Sequence, residues 1–481
     1  MTSIDLSHNQ IVSIAVNLSI FVVILVASVI LISKLKLQDK GYKYLFVLYT
    51  IFWIPIMLVR PYRGTMQNAI GDTEFVWIVT AAYGFVGIFM RIFADWISYI
   101  FKYRKAFLYF CVVAQIGLFI PILVNPNTTS NILQACAIGI GASCIGSYEL
   151  LFKEQYGNKK AFLTVSILSI PPLLANFLTA PIQSIVKTAA TVNKVVDPNI
   201  LVIMWIIAFC FLVIAFIMLF FLKEVRRQTL FNKKDIDYLH PKYAQQNQQL
   251  IFFIGLAFIG SLIAFIKFSN SDSVATSHIQ QLAKYNNTSS AAYEGYLSVV
   301  FSLFQLVAGV LVGTILIRKM SISKIFVIGS IVWITYEISA AFIRNPIAYI
   351  CIHGLNGFAY GIIYNLILAI VLRLSSSKKV ITKMGWYQSI LAIGITASGW
   401  FTPWLKSQLM ANNDSFDSYM HVYMIENLIL LGAIILSTII FILIVWQFNK
   451  SDTNFKMSDS QNSKTNQVIE KKKEVVDVKM A

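Results

Sequence analysis

Charged residues and cysteines are scarce in this sequence. Asp, Glu, Lys and Arg together make up 13% of the 481 residues, whereas apolar residues make up 57%. This composition excludes a soluble globular protein and predicts a polytopic membrane protein, because each helical span needs about 20 apolar residues. The five cysteines all lie in apolar stretches, so neither a disulfide framework nor a C-x-x-C metal site is expected.

Other missing features exclude further classes of protein. No basic residue precedes the first apolar run, which argues against a cleaved signal peptide. The sequence has no glycine-rich phosphate loop, so ATP is not expected to drive the protein directly. The net charge of +17 lies in short loops between apolar runs, so nucleic acid is not an expected partner. No cofactor or metal is expected either.

The long apolar runs predict thirteen membrane spans. Helices are the expected form, because lipid cannot satisfy the open edge of a sheet. The spans are predicted at about 11–35, 42–62, 75–98, 105–124, 131–152, 161–186, 200–222, 250–268, 296–317, 324–343, 347–374, 385–405 and 421–448. With this count, 30 basic residues fall on one side of the membrane and 7 on the other, which places the N-terminus outside and the C-terminus in the cytoplasm.

The longest basic loop divides the last twelve spans into two groups of six. We therefore predict an extra N-terminal helix in residues 1–40, a first six-helix half in 41–222 and a second in 250–448. A cytoplasmic loop, 223–249, joins the halves, and the polar tail 449–481 is predicted to be disordered. The predicted fold class is an all-α polytopic membrane protein.

One loop carries a recognisable motif. Asp95 lies where a span leaves the membrane, and the basic pair Arg104-Lys105 follows it. This arrangement resembles the loop between helices 2 and 3 of major facilitator transporters, whose pattern is roughly G-x-x-x-D-R-x-G-R-K/R. Here Arg91 stands in place of the glycine, and the turn is longer. A second copy follows Gly309, where the acid is lost.

The resemblance implies the major facilitator fold, in which two six-helix halves rock around a central site. It also implies a gate, because the family's Asp ties helix 2 to the neighbouring half. The expected gating residues are Arg91, Asp95, Arg104 and Lys105. The alternative is a local ion pair between Arg91 and Asp95, which are four residues apart on one helix.

Two cations are candidate substrate ligands. Arg60 and Lys267 each lie near the outer end of the first helix of a half, at equivalent points of the repeat. The context Leu58-Val59-Arg60 resembles organophosphate:phosphate antiporters, which implies a phosphate clamped between the two cations. Lysine lacks the bidentate fork of arginine, however. The alternative is that both side chains snorkel to the outer interface.

Several buried polar residues are further candidates. Glu337 lies well inside its span and is the predicted coupling residue, unless it makes a satisfied helix–helix hydrogen bond. His353 and Asn365 are predicted substrate ligands, although a packed histidine with one hydrogen bond is the alternative.

Three other acids are given lesser roles. We predict that Glu149 pairs with Lys153 on its own helix. Glu294 and Glu426, which are near outer helix ends, are predicted to be interfacial.

These patterns predict a secondary active transporter of a small solute, and not an enzyme. The favoured substrate is a phosphorylated or otherwise anionic metabolite exchanged for phosphate. A proton-coupled carrier of a neutral solute, such as a sugar, nucleoside or peptide, is the alternative. An intramembrane enzyme or receptor is disfavoured, because no acid or nucleophile is paired with a buried histidine. The chain is expected to act as a monomer in a lipid bilayer, as a multi-pass plasma-membrane protein of bacterial composition.

Overall fold

The computed structural model describes residues 7–34, 40–156, 167–192, 195–224, 246–271, 273–288, 291–374, 382–409 and 415–451. These residues are almost entirely helical, and two short strands, Thr191–Val192 and Val195–Val196, pair antiparallel. The all-α class predicted from the sequence is confirmed. Most of the predicted central loop and tail lies outside the described residues.

The described residues before the central loop form ten helices. They are α1 (His8–Lys34), α2 (Lys40–Val59), α3 (Arg63–Ile70), α4 (Val76–Phe101), α5 (Lys105–Val124), α6 (Thr128–Ala142), α7 (Ile145–Tyr156), α8 (Ile170–Ala190), α9 (Pro198–Leu201) and α10 (Ile203–Phe221). Short 3-10 turns, Arg60–Tyr62 and Thr73–Phe75, precede α3 and α4.

The part of the chain that the structure describes after the central loop contains eight helices. They are α11 (Gln246–Ser269), α12 (Ser273–Tyr285), α13 (Ala291–Leu311), α14 (Ile317–Lys319), α15 (Ile322–Phe342), α16 (Pro346–Leu374), α17 (Lys383–Leu409) and α18 (Phe416–Ser451). A π-helical turn, Val312–Leu316, joins α13 to α14. The sequence analysis did not predict α12, which is short and less apolar than its neighbours.

Eleven helical stretches of the described chain are long and apolar enough to cross a membrane. The two remaining predicted spans correspond to α8, with 21 residues, and α17, with 27 residues. Both are long enough to span, since a helix rises about 1.5 Å per residue. They are more polar because each of them packs against a helix of the other half of the chain.

The helices before and after the central loop meet along two pairs. In one pair α4 packs against α17, and in the other α8 packs against α13. In both pairs the second span of one half meets the fifth span of the other half, so the two contacts are related by the internal repeat. The extra helix α1 lies outside this arrangement and packs on α8. There the Gln10 side chain donates hydrogen bonds to the carbonyl oxygens of Thr188 and Thr191.

Glycine permits the closest helix contacts. On α17, a Cβ atom at Gly394 would lie 1.9 Å from the carbonyl oxygen of Ser261 on α11. On α4, a Cβ atom at Gly84 would lie 2.5 Å from the backbone nitrogen of Thr396. Lipid tails are as apolar as leucine, so close packing of small residues is what holds such helices together.

We predict that Gly394→Ala lowers the apparent melting temperature of the purified protein in detergent. The added methyl group must push α11 and α17 apart, and such overpacking costs about 1–3 kcal/mol. Gly117→Ala on α5 is the matched control, because nothing lies within 4 Å of its Cβ position. Alanine is the better helix former, so the control should match or exceed the wild-type temperature. Equal losses in both variants would contradict this account of the contact.

Candidate functional site

A cavity of about 140 Å³ lies between the two halves. Its walls come from α2, α4, α7 and α8 on one side and from α11, α12, α13, α16 and α17 on the other. Because both halves contribute, a solute in this cavity would contact helices of both halves.

Two cations border the end of the cavity that the loop charges predict to face outside, which we call the outer end; the opposite end is called the inner end. Arg60 and Lys267 are both buried, at 7% and 6% exposure, and both line the cavity wall. The Cζ atom of Arg60 lies 5.5 Å from the centroid of the Phe268 ring, and the Nζ atom of Lys267 lies 3.7 Å from it. The two predicted ligands therefore converge on one region from opposite halves. They do not extend to the outer surface.

A second arginine holds the Arg60 turn in place. The Arg63 side chain donates to the carbonyl oxygen of Arg60 at 3.1 Å and to that of Val79 at 3.2 Å. Its Cζ atom lies 5.1 Å from the centroid of Tyr83, the same ring that Arg60 faces at 5.8 Å. The sequence analysis counted Arg63 only as an outer-loop charge, because no local pattern marks it as buried.

Three polar side chains border the inner end of the cavity. They are Arg91 on α4, Glu149 on α7 and Gln388 on α17, and all three are buried. Arg91 donates through Nη1 to the carbonyl oxygen of Gln388. Glu149 faces the cavity as well. The side chain of Lys153, its predicted partner, lies outside the described part of the chain.

Asp95 connects the two halves below the cavity. Its Oδ2 atom accepts hydrogen bonds from the backbone nitrogen and the hydroxyl of Thr382, both at 2.8 Å, at the start of α17. A Cβ atom at Gly385 would lie 2.3 Å from this oxygen, so glycine makes room for the carboxylate. The negative charge also suits the positive end of the α17 dipole. Asp95 does not pair with Arg91, so the local alternative is not observed.

The basic turn after Asp95 is fixed by an acid that the sequence analysis passed over. The Nη1 atom of Arg104 lies 3.5 Å from Oδ1 of Asp95. The two carboxylate oxygens of Glu224 accept from the backbone nitrogens of Arg104 and Lys105, at 2.7 and 2.8 Å. Lys105 also donates to the carbonyl oxygen of Leu222. Glu224 therefore caps α5 and joins the ends of α5 and α10.

The remaining predicted site residues are not all on the cavity. His353 lines it, and its Nδ1 atom lies 3.1 Å from the Tyr336 hydroxyl. Glu337 is fully buried behind the wall, where it accepts a hydrogen bond from Asn270. Asn365 donates to the Gly361 carbonyl of its own helix at 2.7 Å and is not among the cavity-lining residues.

The predicted interfacial placement of two acids was wrong. Glu294 and Glu426 are both buried. Glu294 accepts a hydrogen bond from Gln280 of α12, the helix that the sequence analysis did not predict. Glu426 accepts from Thr402 across the contact of α17 with α18.

Solved structures of transporters have the same fold as this chain. The human organic anion transporter MFSD10 superposes with a TM-score of 0.61 at 11% identity, over 84% of this chain and 100% of that one. A bacterial homologue of the lysosomal transporter Spinster superposes with a TM-score of 0.56 at 13% identity, over 87% of this chain and 98% of that one. A bacterial homologue of the iron transporter ferroportin superposes with a TM-score of 0.56 at 12% identity, over 85% of this chain and 100% of that one.

The chain has the major facilitator fold. The sequence itself matches no family model and no curated protein. Identities of 11–13% establish the fold and carry no information about the substrate. Arg60 follows the first span of one half and Lys267 lies on the first span of the other, and both line the cavity between the halves.

We predict that Asp95→Asn opens the inner end of the cavity more often. The change removes a charged acceptor from Thr382, and such hydrogen bonds contribute about 1.5–3 kcal/mol. A cysteine introduced at Leu368, on the cavity wall, should then react several-fold faster with an impermeant thiol reagent from the cytoplasmic side. The background replaces the five native cysteines.

Asp72→Asn is the control for this experiment. Its carboxylate accepts from the Thr128 hydroxyl at the opposite end of α4, away from the contact with α17. Equal labelling rates in the two variants would mean that Asp95 does not hold the inner end closed.

Proposed function

We propose that this protein is a secondary active transporter that carries a small anionic solute by alternating access. The observation that carries the proposal is the convergence of Arg60 and Lys267, from opposite halves, on one end of a shared cavity. A charge buried in the membrane is costly and marks a functional site by default. Two like charges at one site favour a ligand of opposite sign.

The fold supports the transport part of this proposal. Each of the three similar structures is named as a transporter or a transporter homologue, and one is an organic anion transporter. We infer that this chain is likewise a multi-pass carrier, and not an enzyme. A cytoplasmic C-terminus, a bacterial plasma membrane and action as a monomer complete the proposal.

Phosphate or a phosphorylated metabolite suits the site, with exchange for phosphate as the mode of transport. A dianion neutralises both cations and accepts hydrogen bonds from each. Exchange requires that the halves close around a bound anion, and an anion that contacts both Arg60 and Lys267 favours the closed state if it binds that state better than the open one.

We predict that Arg60→Ala and Lys267→Ala each raise the half-saturating phosphate concentration at least tenfold. A lost charged hydrogen bond costs about 1.5–3 kcal/mol, and 1.4 kcal/mol corresponds to tenfold in affinity. The measurement is counterflow of labelled phosphate in vesicles containing the purified protein.

Arg344→Ala is the matched control for both variants. Arg344 is an exposed cation that pairs with Asp417 at 3.1 Å, far from the cavity, so its removal should leave exchange unchanged. Wild-type exchange kinetics in Arg60→Ala would refute the anion site.

A proton-coupled carrier of a neutral solute is the second candidate. His353 lines the cavity and continues into a buried chain of tyrosine hydroxyls. Tyr336 lies 3.1 Å from His353 and 3.4 Å from Tyr349, and Tyr423 donates to Tyr349 at 3.3 Å. Such a chain can pass a proton from donor to acceptor. Glu337 directly follows Tyr336, a member of this chain, in the sequence.

This second candidate makes a separate prediction. Glucose, adenosine or a dipeptide added to the vesicles should then move protons across the membrane. A protonophore should abolish accumulation of the solute, and Glu337→Gln should reduce it. If phosphate exchange is seen and none of these solutes moves protons, the neutral carrier is excluded in favour of the anion exchanger.

A further inference from the structure

Four buried oxygen atoms at the break between α11 and α12, or bonded to it, have no hydrogen-bond partner in the described part of the chain. They are Oγ of Ser269, Oγ of Ser271, Oε2 of Glu337 and Oδ1 of Asn356. All four side chains are buried, at 0–5% exposure. Buried polar atoms are almost always paired, so four unpaired oxygens on connected residues indicate a ligand that binds oxygen.

Asn270, which lies in the break, connects these residues. Its Nδ2 atom donates to Oε1 of Glu337 on α15. Its carbonyl oxygen accepts from Nδ2 of Asn356 on α16 at 3.3 Å. These two bonds fix the orientation of both amides, so that Oε2 of Glu337 and Oδ1 of Asn356 are the atoms left over. Ser269 and Ser271 are the sequence neighbours of Asn270. Oxygens from three parts of the second half therefore belong to one hydrogen-bonded group.

The backbone of the break supplies further oxygen ligands. The helix α11 ends at Ser269 and α12 begins at Ser273, so regular helical hydrogen bonding is interrupted between them. The last bond of α11 in this direction runs from the backbone nitrogen of Asn270 to the Ile266 carbonyl, at 3.1 Å. Carbonyl groups released at breaks in membrane helices are ligands for sodium ions in transporters.

Glu337 determines the charge that the ligand must carry. A lone carboxylate at this depth is very unfavourable, so a buried acid either holds a proton or is compensated by a cation. Glu337 is the one acid among the five side chains, and a monovalent cation in place of its proton leaves the group neutral. A divalent cation would leave a positive charge uncompensated. A ligand set made of oxygens alone suits a hard cation.

We propose that Asn270, Glu337 and Asn356, with the hydroxyls of Ser269 and Ser271, form a binding site for a small monovalent cation of the sodium type. A proton on Glu337 takes the place of the cation when none is bound. The site is distinct from the anion site and does not depend on it.

The break also connects this cation site to the cavity. Ser271 and Thr276 line the cavity wall, and Lys267 precedes Ser271 by four residues. A cation bound at the break would hold in place the segment that bears these side chains. The cation would therefore act on the cavity from behind its wall, through α11 and α12.

The test measures cation binding by the purified protein in detergent, without phosphate. Sodium chloride replaces choline chloride at constant ionic strength, and both the apparent melting temperature and the binding of labelled sodium are recorded. Sodium should raise the melting temperature, because a ligand that binds only the folded state stabilises it, and about one ion should bind per chain. Lithium and potassium chloride are compared as competitors of labelled sodium.

Two variants test the ligands. Glu337→Gln should abolish saturable sodium binding and the rise in melting temperature, while its amide oxygen can still accept from Asn270. Ser269→Ala removes one neutral oxygen and should raise the half-saturating sodium concentration several-fold. The melting temperature in choline chloride shows whether each variant is folded. If Glu337→Gln does not fold, Ser269→Ala decides.

Glu294→Gln is the matched control. Glu294 is also buried, with one oxygen that accepts from the amide of Gln280 and one without a partner. Gln280, however, contributes no unpaired buried oxygen of its own in the described part of the chain. The control should therefore bind sodium as the wild type does.

Three results would overturn the cation site. The first is a wild type that neither binds nor is stabilised by sodium, lithium or potassium, which would mean that a proton and water alone satisfy these oxygens. The second is binding that survives in Glu337→Gln or is lost equally in Glu294→Gln. The third is stabilisation by calcium chloride and by none of the monovalent salts. Each of them leaves the anion exchanger standing, and failure of phosphate counterflow leaves the cation site standing.

Discussion

The cost of placing charge in hydrocarbon determines how this chain is arranged. A charged side chain at the centre of a helix costs about 2.5–3.5 kcal/mol to insert into a membrane. Five buried charges, Arg60, Arg91, Asp95, Glu149 and Lys267, point to the cavity or to the contact between the halves. The faces left for lipid are apolar. Each charge thus identifies an inward face of its helix.

The same constraint explains why α8 and α17 are the least apolar spans. Each of them contacts the opposite half along its length, so each presents less surface to lipid. Polar groups are tolerated there because they bond across the contact, as Thr382 does to Asp95 and Asn176 to Ser302. Apolar burial does not hold such helices together within a membrane, so their contacts depend on small residues and hydrogen bonds. A contact of that kind can separate and re-form during a transport cycle.

The sequence was sufficient for the fold because span length, loop charge and the Asp95 motif are local patterns. It also predicted that Arg60 and Lys267 lie at one site, because the internal repeat relates the two halves. It failed for Glu294 and Glu426, which were assigned to the interface and are buried. The spacing of two residues in the sequence predicts contacts only between side chains of the same helix. Whether a residue faces lipid, a cavity or another helix depends on the rotation of its helix and on partners distant in sequence.

One pair of helices connects the cavity to the inner gate. Arg91 and Asp95 lie one turn apart on α4, and both bond to α17, at Gln388 and Thr382. Separation of α4 from α17 must break both contacts, so the two break together. A ligand can shift such an equilibrium only by binding one state better than the other. In the proposed transporter, a group that binds between Arg91 and Gln388 better in one state than in the other would therefore also shift the step that frees Asp95 from Thr382.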